Sequence, residues 1–176
     1  MEITFLYVLS QVFIIFNYVF LVITYQLNDR KKILLFNIAS LTSAGLSYLC
    51  LSAYTGIAMM IISILRNLLF LYNEKRNGKS KKITRDDIYT LIFIYLLTII
   101  FTIFTYNGFL SLMCVFATMI YTYSVWQKST KMYKYFGILV SICWLIYNIY
   151  IRSLFGIVFE FILLCAVIIG IIRDRE

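Results

Sequence analysis

The sequence predicts an all-α membrane protein: seven transmembrane helices, arranged as two parallel triple-helix bundles joined by a linker helix (3+1+3). Three observations carry this. Hydrophobic residues make up 62% of the 176, with a mean hydropathy of +0.90, well above the apolar share of soluble domains. The positive charge is confined to short gaps between long apolar blocks. And the chain around its first three helices resembles the chain around its last three.

The apolar blocks are Ile3–Tyr25, Ile33–Tyr72, Ile88–Trp126 and Tyr135–Ile172. A bilayer core of about 30 Å takes about 20 residues per helix, so the first block is one span. The other three, of about 38 to 40 residues each, would run to nearly twice that thickness at about 1.5 Å per residue, so each turns back once. Ser52-Ala53-Tyr54-Thr55-Gly56, Asn107-Gly108 and Arg152-Ser153 supply the breaks, with Asn-Gly a strong turn dipeptide. The expected helices are 3–25, 33–53, 56–72, 88–106, 109–126, 135–151 and 154–172.

The charges orient them. Cytoplasmic loops retain Lys and Arg, and translocated loops shed them. Arg30, Lys31 and Lys32 fill one gap; Lys75, Arg76, Lys79, Lys81, Lys82 and Arg85 the next. Lys128, Lys131 and Lys134 fill the third, and Arg173 and Arg175 the tail. With seven spans all four basic gaps share the cytoplasmic side, which sets the N-terminus, with its acidic Glu2, outside and the C-terminus in the cytoplasm. An even count would split them. The first helix has neither a basic n-region nor a small-residue cleavage site, so it is expected to stay in place. The net charge of +8 follows from this asymmetry and requires no nucleic acid. Of the basic segments, Glu74–Asp87 has room for a partner or anionic headgroups, and reads mainly as a solvated topology anchor.

Several chemistries are excluded. Histidine is absent, and Cys50, Cys114, Cys143 and Cys165 stand singly on four helices without metal spacing. There is no Ser/His/Asp set, no glycine-rich phosphate loop and no carboxylate pair within a turn in the membrane. The chain is therefore expected not to be an enzyme and to carry no cofactor or metal. Its expected partners are the lipid bilayer and a small polar solute, with assembly into a homo-oligomer left open.

The repeat is visible in marker residues. Tyr25-Gln26 closes helix 1 before its basic gap as Trp126-Gln127 closes helix 5, and Tyr54-Thr55-Gly56 opens helix 3 as Leu154-Phe155-Gly156 opens helix 7. The chain then divides into a first triple-helix repeat (1–72), a basic loop with linker helix 4 (73–106) and a second repeat (107–176), in one membrane domain. Parallel repeats of this kind are a transporter signature, with the site between the halves near the midplane.

Trp144-Leu145-Ile146-Tyr147-Asn148, followed by Ser153, Gly156 and Glu160 and ending Gly170-Ile171-Ile172-Arg173, resembles the C-terminal half of the YgjV-type bacterial inner-membrane proteins. Thr55-Gly56, Arg66-Asn67 and Phe70 are similar to the first half of that family. The resemblance runs from about Gln26 onward and implies the three-plus-one-plus-three fold of the SWEET, semiSWEET and PQ-loop carriers, without implying a substrate. It also implies two departures. Those carriers hinge on a proline beside a glutamine; this chain has no proline, and Gln26 and Gln127 stand at the hinge positions beside Tyr25 and Trp126. They also place an asparagine in the third helix of each half. Here the resemblance puts Glu160 in the second half and a residue near Met60 in the first.

Glu160 is the leading candidate. It lies six residues into helix 7, about 9 Å from its start, too deep for a short side chain to reach water. A charge at such depth costs about 2.5–3.5 kcal/mol on insertion scales and usually faces a bundle interior or a cavity. It can bind a polar or cationic solute or carry a proton; the structural alternative holds it on Arg66, Arg152 or a hydroxyl. Arg66, with Asn67, either extends to the headgroups or turns toward the cavity. Trp144, Tyr147 and Asn148 complete the candidate substrate set, while Ser40, Ser43 and Ser47 read as a close helix contact. The expected function is a bacterial inner-membrane, multi-pass carrier or facilitator for a small polar solute such as a sugar, nucleoside or vitamin. The alternative is a non-transporting membrane protein with a structural, regulatory or immunity-type partner role.

Overall fold

A computed structural model describes residues 5–76 and 82–173, with the backbone alone at Thr130 and Arg173. Glu2, Lys79, Lys81 and Arg175, used above to orient the chain, lie outside the described residues, as does the very start of the expected first helix. The described chain folds into α1 (Phe5–Gln26), α2 (Arg30–Cys50), α3 (Tyr54–Arg76), α4 (Arg85–Thr105), α5 (Leu112–Trp126), α6 (Thr130–Tyr150) and α7 (Leu154–Arg173). A short 3₁₀ turn, Phe109–Ser111, leads into α5, and together they make the fifth of seven segments long and apolar enough to cross a membrane.

Four helices begin earlier than hydropathy places them: α3 by two residues, at 54, and three others by three to five, at residues 30, 85 and 130 instead of 33, 88 and 135. Capping chemistry is the reason for the three larger shifts. The Asp29 carboxylate accepts from the Lys31 and Lys32 amides at 2.9 and 3.4 Å. The Thr84 hydroxyl accepts from the Asp87 amide while the Asp87 carboxylate accepts from the Thr84 amide, a capping box. The Ser129 hydroxyl accepts from Met132. Each cap satisfies orphan N–H groups of a first turn. The basic residues that follow are therefore helical, and Lys134, expected in a polar gap, is buried on α6. The fifth helix departs in the other direction: its α-helical part starts at 112, because Ser111 closes the Gly108 turn with its hydroxyl on the Gly108 carbonyl, 2.7 Å.

The two turns after α2 and α6 share their closing bonds. Ala53 N–H donates to Tyr48 O at 2.9 Å and Ser153 N–H to Asn148 O at 3.0 Å. Ser52 N–H donates to Leu49 O at 3.1 Å and Arg152 N–H to Ile149 O at 3.2 Å. This is the Schellman pattern, which drives its turn residue into the left-handed region. Ser52 has φ 54° and Arg152 φ 57°, although neither is glycine.

Packing follows a ring. α1 touches α2, α2 touches α3, α3 touches α5, α5 touches α6, α6 touches α7, and α7 returns to α1. α4 lies against α3 and α5. One outward stripe of it, including Tyr89, Phe93, Leu96 and Ile103, stays exposed, as suits a helix bathed in lipid. Tyr18, Tyr25 and Val167 belong to one buried cluster and Tyr48, Met60 and Tyr147 to another, and Trp144 packs against both. At the end carrying the basic connections, Lys128 Nζ lies 2.5 Å from the buried Asp87 carboxylate, tying the α5–α6 turn to the start of α4. Arg30 reaches Val125 O at 2.8 Å and Glu74 at 3.7 Å.

Candidate functional site

Inside the ring lies a cavity with about 60 Å³ of space that water can occupy. Its walls come from α1, α2, α3, α5, α6 and α7, with α4 contributing none. Both intramembrane charges away from the basic end open onto it. Glu160 is 3% exposed and Arg66 1%.

Each charge is held by a hydroxyl from the helix across its seam. The Tyr18 hydroxyl on α1 donates to Glu160 Oε1 at 2.8 Å, with the Gly156 carbonyl a weaker acceptor at 3.2 Å. Asn148 donates its Nδ2 to the Tyr18 oxygen at 3.3 Å, which aims the phenol at the carboxylate. On the other side, Arg66 Nη1 donates to the Thr122 hydroxyl on α5 at 3.2 Å and its Nε to Asn67 Oδ1 at 3.1 Å. The guanidinium also lies 4.6 Å above the Tyr121 ring, a cation–π contact. No salt bridge joins Glu160 to Arg66 among the described residues, and Arg152 is exposed in its turn. Glu160 Oε2 and Arg66 Nη2 are buried without a close hydrogen-bond partner, the Ser141 hydroxyl stands beside the Glu160 carboxylate, and all three residues line the cavity. Buried polar groups are normally satisfied, so open ones around one space set it apart from the packed apolar interior.

The expected site residues divide. Glu160 and Trp144 line the cavity, and Met60 faces it from the first half. Trp144 stacks on Tyr48 with centroids 5.9 Å apart and planes 15° apart, so one aromatic wall spans α2 and α6. Arg66 turns inward and does not reach for headgroups. Asn148, Asn67 and Tyr147 do not line the cavity. Asn148 orients Tyr18, Asn67 donates to Asn37 Oδ1 at 2.6 Å, and the Tyr147 hydroxyl accepts from the Gly56 amide at 3.1 Å, spent on fixing α3 against α6. Gln26 is exposed at the end of α1 and Gln127 caps α5, at the basic end of the bundle. Ser43 bonds back to Ala39 O, whereas Ser40 donates to Asn17 Oδ1 at 2.6 Å and also lines the cavity, so it is more than a packing residue.

Sequence reasoning missed Tyr18, Tyr25, Tyr48 and Tyr121, because 15 tyrosines offer no local sign of which face inward. Asn17 and Asn37, amides within apolar helices, were the available signal. A larger depression of about 470 Å³ lies between the start of α3 and the ends of α4 and α6, where Thr55 Oγ1 donates to Thr105 O, but it carries no charged residue.

No match was found among curated proteins or solved structures. Residues 8–176 match the Imp-YgjV family, described as a bacterial inner membrane protein; with seven helices able to cross a bilayer, the chain is a multi-pass member of that family.

Proposed function

We propose that this protein is a carrier for a small polar solute, working by rocking of two triple-helix units, α1–α3 and α5–α7, around the central cavity. α4 links them from outside, the 3+1+3 plan of the SWEET and PQ-loop carriers. The N-terminus is outside and the basic connections are cytoplasmic, as the Lys and Arg distribution favours. The observation that carries the reading is the cavity itself: six helices line it, the linker does not, and its buried charges stand on the seams where the two units meet.

Those seams are α1–α7 and α3–α5. Tyr18–Glu160 crosses one and Arg66–Thr122 the other, so tilting one unit against its partner stretches a hydrogen bond to a charged group on each side. An occupant that replaces these bonds lowers the cost of the motion, which is how binding couples to alternating access. Without proline, bending falls to the Ser/Thr positions that bond back one turn, such as Thr118 to Cys114 O and Thr122 to Thr118 O.

Site-directed labelling tests this without a known solute. Ser141→Cys, in a background with Cys50, Cys114, Cys143 and Cys165 replaced, is exposed to a membrane-impermeant thiol reagent in right-side-out and inverted vesicles. A carrier gives labelling from both faces. Labelling from one face or neither, in protein that remains folded, rejects alternating access and favours the partner-binding alternative.

A further inference from the structure

We infer that the cavity binds a small zwitterion, its cationic group at Glu160 and Ser141 and its anionic group at Arg66. This deepens the carrier reading and rests on it.

The argument is one of charge balance. Glu160 and Arg66 open onto one space, both buried, with no salt bridge between them and one unpartnered atom each. An uncompensated buried charge is costly, and a neutral hydroxyl relieves it only in part. A sugar in this cavity leaves both charges without a counter-ion. A simple cation satisfies Glu160 and meets the field of Arg66; a simple anion does the reverse. A zwitterion answers both and brings no net charge across the membrane.

The layout suits it. Glu160 lies six residues into α7 and Arg66 twelve into α3, and the two helices begin at the same end of the bundle after matching turns. The two backbone levels differ by about 9 Å along the axis. The Arg66 guanidinium is held against Thr122 and Tyr121 of α5, so the two charges stand at different depths of the one space. Around the carboxylate end stand Tyr18, Tyr48 and Trp144, aromatic faces that favour an ammonium or a methylated ammonium. At the other end the guanidinium presents Nη2, the donor geometry that carboxylates accept. The confined space favours small members of the class, such as glycine, alanine, serine or betaine.

The test uses the purified full-length protein, with thermal unfolding and calorimetric titration as readouts. Glycine, alanine, serine and betaine are compared with N-acetyl derivatives, which lack the cation, and methyl esters, which lack the anion; glucose and uridine serve as uncharged probes. The expected result is stabilisation that grows with zwitterion concentration, and binding at least tenfold weaker for either blocked form. Glu160→Gln and Arg66→Gln each weaken zwitterion binding about thirtyfold or more. Arg66→Gln also abolishes the preference for the free acid over its ester, a change that simple loss of folding does not produce. Esters binding as well as zwitterions, or glucose or uridine binding while zwitterions do not, overturn this inference and leave the carrier standing. Absence of any binding with Ser141→Cys labelled from both faces does the same, whereas absence of both binding and labelling overturns the two together.

Discussion

The α2–α3 and α6–α7 segments share a scaffold and differ in chemistry. Their turns repeat the same backbone bonds, Ala53 to Tyr48 and Ser153 to Asn148, with the same left-handed residue before each. Asp29 and Ser129 cap the helices that lead into them. Gly56 and Gly156 open the helices that follow, each permitting a close approach from the preceding helix. Yet where the first half presents Met60 to the cavity the second presents Glu160, and where the first presents Arg66 the second has Ala166, outside the lining. A repeated backbone thus carries opposite charges on opposite seams. The difference teaches that the two halves can share their turns without sharing their charges: Met60 and Glu160 take matching places in the lining, and Arg66 has no counterpart there.

Making the halves alike is the strongest way to break that arrangement. Glu160→Met, which copies Met60, is expected to reduce solute binding about a hundredfold, in line with removal of one partner of a buried charge contact. It should do so without lowering the unfolding temperature of the solute-free protein, because replacing a buried charge by an apolar group of similar volume is often neutral or stabilising. Loss of stability along with binding would show Glu160 to be a structural carboxylate.

The next contrast lies at the basic end. Lys128→Ala leaves the Asp87 side chain, 1% exposed, without its cation and should cost roughly 2 kcal/mol. Arg76→Ala removes an exposed pair at 3.7 Å and should cost less than about 1 kcal/mol. Chemical denaturation in detergent compares them, and equal costs would mean that the Lys128 latch contributes nothing beyond a surface pair.

Smaller effects come from the paired glycines. A methyl group at Gly156 would stand 2.7 Å from Asn148 Oδ1 and from Ser153 Oγ, whereas at Gly56 it would stand 3.0 Å from the Tyr147 hydroxyl and the Tyr48 ring. Gly156→Ala should therefore destabilise by about 1–3 kcal/mol, with Gly56→Ala below it. Because Asn148 aims Tyr18 at Glu160, Gly156→Ala should also weaken solute binding while Gly56→Ala leaves it nearer to wild type. Reversed ranking in a melting and binding series would contradict the geometry. Last, Ser52→Gly and Arg152→Gly relieve left-handed strain at equivalent places and should each raise stability by about 0.5–1 kcal/mol, by equal amounts if the turns are equivalent.

Much of this was legible in the chain. Seven spans follow from apolar length against bilayer thickness, and the break points from Asn107-Gly108 and the turn sequences, because both signals are local. Glu160 declared itself as a short carboxylate too deep to reach water. The helix starts were misplaced because hydropathy sees Lys31 and Lys131 as loop, while the Asp29 and Ser129 caps make them helical.

Tertiary structure decided the rest. Tyr18 meets Glu160 across 142 residues of chain, and nothing near either residue announces the other. Arg66 had two outlets, headgroups or interior, and the choice was made by Thr122 and Tyr121 on α5. Tyr147 stood in the same motif as Trp144, yet its hydroxyl was claimed by Gly56 while Trp144 faced the cavity. Hydropathy and capping act within a helix, so the sequence determined the number of helices, their order and their turns. Which polar side chain faces another depends on how six helices close into a ring, and only packing settles that.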